Sequence, residues 1–84
     1  MKTSVVLIGH GSRRPAGNQR VAEIAEALQT RVPDVSVSHG FIELAEPHMS
    51  EALSAAAREA DRVVVVPVLL FASGHAQSIQ LKSS

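Results

Sequence analysis

Val5-Val6-Leu7-Ile8-Gly9-His10-Gly11-Ser12-Arg13-Arg14-Pro15 is the stretch on which the fold of this chain turns. Four aliphatic residues in succession, mostly β-branched, stop at a histidine with glycine on either side. A hydroxyl and two guanidinium groups follow. An unbroken apolar run of this length, without polar alternation, predicts a strand buried on both faces of a parallel sheet. In such sheets ligands bind where loops leave the carboxyl ends of the strands. His10 is therefore predicted to stand at a binding edge.

Outward from this strand the pattern changes period. Val21, Ile24, Ala25, Leu28 and Val32 repeat at the spacing of one helix face, with Glu23, Glu26, Gln29 and Arg31 on the wet side. The helix is expected to start at Pro15 or Asn18. It should end at Val32-Pro33, because the residue before a proline avoids helical geometry. Val35, Val37, His39 and Phe41 then alternate with Ser36, Ser38 and Gly40, the signature of an edge strand with one small polar face. After the loop Glu43-Leu44-Ala45-Glu46-Pro47, with Pro47 suited to a first helical turn, comes a second helix. Its predicted apolar stripe is Met49, Leu53, Ala56, Ala57 and Ala60. Arg62 to Phe71 reads as a third, very apolar strand in which Pro67 marks a bulge or the end of regular pairing. A second loop, Ala72-Ser73-Gly74-His75, ends in glycine and histidine.

The order β-α-β-α-β predicts an α/β fold with a parallel sheet. The weakly apolar second strand belongs at an edge and the two greasy strands belong together, which gives strand order 2-1-3. Right-handed crossovers then place the helices on both faces. The switch point falls between strands one and three, about 4.8 Å apart, so the loops of His10 and His75 would be neighbours.

Composition narrows the possible functions. The 84 residues, 45% hydrophobic, suit a single domain over 1–84; a chain of this size buries only about 60% of its unfolded surface. Eight basic and eight acidic residues cancel, which removes the electrostatic footprint of a nucleic-acid binder. Phe41 and Phe71 are the only aromatic residues of the Phe, Trp and Tyr class, too few for base stacking. The absence of cysteine rules out thiolate ligands, disulfides and thiol nucleophiles. The run Val5–Ile8 is far short of the roughly 20 apolar residues of a membrane span, so a soluble, cytoplasmic protein without a membrane partner is expected.

Two imidazoles and a carboxylate with open positions suit an exchangeable divalent transition metal. His10 and His75 supply the first two, and Glu43 is the best-placed carboxylate, ahead of Glu46. The same imidazoles can instead serve as general bases near neutral pH. A lone loop histidine is commonly just a surface group, and it is the pairing at a switch point that lifts these two. His39 shares a face with Val35, Val37 and Phe41 and reads as structural. His48 reads as solvated at a helix start, and Glu46 as complementing that helix N-terminus. Arg13 can receive the carboxylates of an anionic ligand through its planar fork, whereas Arg14 reads as solvated. Ser12 is as easily a turn-forming hydroxyl as a ligand contact. Neither a phosphate-binding Walker loop nor a dinucleotide fingerprint is present.

The segments LIGHGSRRPAGN, FIELAEPHMSEAL and VVVVPVLLFASGH, in this order and spacing, resemble the CbiX/SirB family of small class II chelatases. The resemblance runs over roughly residues 4 to 78. It implies a chelatase-like, flavodoxin-like three-layer fold and insertion of a divalent metal, cobalt or iron, into sirohydrochlorin during cobalamin or sirohaem synthesis. His10 matches the family's first metal-binding and catalytic histidine and His75 its second. Glu43 matches a position where many members carry a carboxylate near the metal. A substrate with eight carboxylates gives Arg13, with Ser12 beside it, a binding task. The metal, which can also be nickel, is then a substrate, and no organic cofactor is implied. The stretch Ala76-Gln77-Ser78-Ile79-Gln80 lacks the Asp-Ile-Pro that members usually carry there. The end at Ser84 leads us to expect either a truncated or naturally abbreviated domain or a third strand covered by a second copy. Because short members of the family build their site from two copies and strand three needs cover, a homodimer is expected. Two other readings stay open on sequence alone. One is a non-catalytic metal- or tetrapyrrole-binding remnant. The other is a histidine phosphatase, whose motif wants arginine where Gly9 stands.

Overall fold

The computed structural model describes residues 1–69. They form β1 (Thr3–Gly9), α1 (Pro15–Arg31), β2 (Ser36–Phe41), α2 (Met49–Glu59) and β3 (Arg62–Val68). The strands make one parallel sheet in the order β2-β1-β3, as the contrast in strand hydrophobicity predicts. The central strand is the most buried, with Val6, Leu7 and Ile8 all in the core.

Alternate residues of β1 face different helices. Val6 and Ile8 pack with Ala52 and Ala56 of α2, and Met49, Leu53 and Val63 close the edges of that cluster. On the other face Gly9 lies under Val21 of α1 and the ring of Phe41. The helices therefore cover opposite faces, giving three layers. His39 meets the Phe41 ring edge-on at 5.5 Å, which bears out its reading as a structural residue.

Several local expectations change. In α2 the buried residues are Ala52 and Ala56, and Ala57 is exposed. The reason is Gly40: a Cβ there would lie 2.9 Å from the Cβ of Ala52, so its absence lets α2 settle on β2 with Ala52 inward. Pro47 does not enter the first helical turn. It precedes the N-cap, His48, whose Nδ1 accepts from Ser50 N while Glu51 Oε1 accepts from His48 N. Glu51 thus serves the helix start that was assigned to Glu46. Pro67 causes no bulge, because the register with β1 runs unbroken from Thr3↔Arg62 to Gly9↔Val68. β3 pairs only with β1 among the described residues, and an edge strand can carry a proline whose nitrogen faces away from its neighbour. Val64, Val65 and Val66 are left exposed along it.

Gln29, expected on the wet side of α1, is half-buried and bridges to β2. Its Oε1 accepts from Val37 N at 2.9 Å, and its Nε2 donates to Val35 O at 2.6 Å. At the same end of the sheet, Lys2 O accepts from the backbone of Asp61 and Arg62, which ties β3 to the start of β1. Ser4 is buried in β1, and among the described residues its hydroxyl has no partner.

Candidate functional site

At the carboxyl edge the β1–β2 pairing does not stop with the strands. Ile42 N donates to Gly9 O at 3.0 Å and Glu43 N to His10 O at 3.1 Å. Two loops are thereby held side by side for one further residue each. Gly11 makes this possible. Its φ is +103°, and a Cβ at that position would fall 1.6 Å from Glu43 O. An L side chain is excluded twice, by conformation and by space.

The result is a pair of donors pointing into solvent. His10 Nε2 and Glu43 Oε2 lie 3.1 Å apart, with side-chain exposures of 73% and 56%. So exposed a contact adds little to stability, but it leaves both donors accessible. Donors each about 2.1 Å from one cation stand about 3.0 Å apart at a right angle and about 3.4 Å apart at a tetrahedral one. The observed separation therefore falls within the range of two ligands that share one divalent cation. Among the described residues no cluster of three metal-ligating side chains forms. His75, the third expected donor, lies outside the described residues. β3 leaves the sheet level with Gly9, at Val68.

Beside the pair opens a cleft of about 510 Å³. Val21, Phe41, Val68 and Leu69 give it an apolar floor, and the Gly9–Ser12 backbone with Arg14 forms a polar wall. Arg13 and Arg14 are both exposed, and Arg14, read as solvated from sequence, also borders this cleft, which Arg13 does not. The reason is local. Arg14 N donates to Ser12 Oγ at 3.0 Å and Arg14 O accepts from Gly17 N, so the turn into α1 is wound tightly and Pro15 opens the helix. Ser12 thus has the turn-forming role that the sequence allowed. His48 and Glu46 stay outside the pair, the first engaged as a helix cap and the second exposed.

The sequence profile of the CbiX family matches residues 4–83. This chain belongs to the CbiX family. Among relatives of this CbiX chain, a sirohydrochlorin cobaltochelatase of Methanopyrus kandleri is 47% identical over 68 residues, covering 80% of the chain and 48% of the relative. A sirohydrochlorin ferrochelatase of Bacillus subtilis is 31% identical over 78 residues, covering 92% of the chain and 30% of the relative. The crystal structure of the sirohydrochlorin chelatase SirB from Bacillus subtilis subspecies spizizenii, in complex with cobalt, superposes with a TM-score of 0.73 at 30% identity. That match covers 96% of this CbiX chain and 37% of SirB. The CbiX chain spans about half the length of the archaeal relative and less of the bacterial ones.

Asn18 is the residue of this site that sequence reasoning missed. The sequence offers it as a possible helix start, yet its side chain reaches back to the loop. Nδ2 donates to Ser12 O at 2.7 Å and Oδ1 accepts from Ser12 N at 2.9 Å. The available signal is an amide three residues inside a proline-started helix that follows a glycine-rich loop.

Proposed function

We propose that this CbiX chain inserts a divalent metal, cobalt or iron, into a sirohydrochlorin-type tetrapyrrole, with the metal as a substrate and no organic cofactor. The reading is carried by the His10–Glu43 pair, 3.1 Å apart and open to solvent beside the cleft. Its relatives' names, cobaltochelatase and ferrochelatase, support it. His10 and Glu43, joined by His75, hold the metal. Insertion exchanges two pyrrole protons for one divalent cation. Imidazole and carboxylate are both competent to accept those protons once their lone pairs leave the metal. The apolar floor suits the macrocycle's face. Arg13 and Arg14, with Ser12 on the same loop, suit its peripheral carboxylates, since a guanidinium matches a carboxylate with two parallel bonds.

The experiment combines protein, cobalt(II) and sirohydrochlorin and follows the absorption change of the macrocycle. Acceleration over the metal-only control, abolished in His10→Ala together with a fall of about 100-fold or more in cobalt affinity, is the expected result. For scale, loss of an outer-shell partner alone costs about 10- to 100-fold. Cobalt binding without acceleration would overturn the enzymatic reading in favour of a carrier.

We further infer that a second copy of the chain covers β3, which pairs only with β1 among the described residues and leaves Val64, Val65 and Val66 exposed, because a long apolar edge strand is a template for pairing. Sedimentation giving a monomer at micromolar concentration would remove this inference.

A further inference from the structure

We propose that Asn18 is a positioning residue that fixes the direction of His10, an inference that rests on the metal-holding role of His10. The imidazole is 73% exposed, so little packing holds it and its direction is set by the backbone that carries it. That backbone has two anchors. At His10 itself, the carbonyl accepts from Glu43 N. At Ser12, both the N–H and the C=O are bonded to the Asn18 amide, at 2.9 and 2.7 Å. Between the anchors stands Gly11, in a left-handed conformation and the most permissive residue type.

Without Asn18, the part-buried polar groups of Ser12 lose their partners and the loop can turn about Gly11. The His10–Glu43 separation, already within a few tenths of an ångström of that of two ligands on one cation, would no longer be held. Asn18 also lines the cleft, so a direct contact with the macrocycle is the competing role. The two roles differ in a simple observable. Positioning of His10 changes the affinity for the metal alone, whereas contact with the macrocycle changes only the KM for the tetrapyrrole.

The test titrates cobalt(II) calorimetrically, with no tetrapyrrole present, into the whole chain and its Asn18→Ala, Asn18→Asp and Gln29→Ala variants. Thermal unfolding is followed in parallel. Amide exchange at Ser12 and the imidazole signals of His10 are read by NMR without metal. Asn18→Ala is expected to weaken cobalt binding about 10-fold, in the range of lost outer-shell partners, and to speed exchange at Ser12. Asn18→Asp keeps an acceptor for Ser12 N and should lose less. Gln29→Ala should leave cobalt affinity within about twofold while lowering Tm, which separates positioning from general destabilisation. Cobalt affinity unchanged in Asn18→Ala, with only the tetrapyrrole KM raised, would overturn the inference. So would unaltered Ser12 exchange and His10 signals. If His10→Ala itself leaves cobalt affinity intact, the metal-site reading fails instead, and the NMR readout still decides whether Asn18 governs the loop.

Discussion

The two ends of α1 carry the same device with opposite consequences. At its start the Asn18 amide grips both polar backbone groups of Ser12; near its finish the Gln29 amide grips Val35 O and Val37 N. Each satisfies part-buried backbone groups that secondary structure leaves unpaired, which is what such groups require. What differs is the object held. Gln29 fastens a strand that is pinned again by its ladder with β1. Asn18 fastens the loop beyond His10, where the pairing with the Glu43 loop has ended, next to the exposed His10–Glu43 pair. On the proposal above, an identical contact is redundant in one place and decisive in the other.

The largest effect that can break this comparison is expected for Gly11→Ala. A Cβ there meets Glu43 O at 1.6 Å in a positive-φ conformation, so the loops must part. Strain of about 1–3 kcal/mol plus the clash should lower Tm clearly, and cobalt affinity should fall as far as in His10→Ala. Retained affinity would show that the loop contact does not build the site. Gln29→Ala sharpens the contrast from the other end. Unfolding in urea should reveal a loss of about 1–2 kcal/mol from two unmade hydrogen bonds, with the His10–Glu43 site unaffected. A matching loss of metal binding would mean that the two ends of α1 are not independent. The smallest effect is expected for Ser4→Ala, in the core of β1 away from both clamps. Its buried hydroxyl has no partner among the described residues, so removing it should raise stability by up to about 1 kcal/mol. A destabilised variant would indicate that the hydroxyl is bonded after all.

Much of this layout is written in the residues, and the pattern of what is not is instructive. The strand order follows from hydrophobic contrast, since unbroken Val5–Ile8 and Val63–Val66 differ visibly from the alternating Val35–Phe41. His10 and Glu43 could be chosen because both stand just past a strand end, where parallel strands bring their loops together. Asn18 and Gln29 could not, because their partners are backbone groups, which every position possesses and no sequence pattern marks. Ala52 was passed over for Ala57 because the rotation of α2 is set by an absent side chain, that of Gly40. For a similar reason the sequence does not tell Arg13 from Arg14: one residue of turn geometry decides which of two adjacent arginines borders the cleft.

The exposure of the two donors sets a limit on how tightly metal ought to be held. On the proposed function, a cation held by His10, Glu43 and His75 would keep further coordination positions open to water, and such a cation exchanges readily. For a storage protein that would be a defect. For a site that must surrender its ion to another set of nitrogens at every turnover, fast release matters more than retention. A variant engineered to grip harder, with an added thiolate for instance, should gain affinity and lose throughput, trading a relay for a trap.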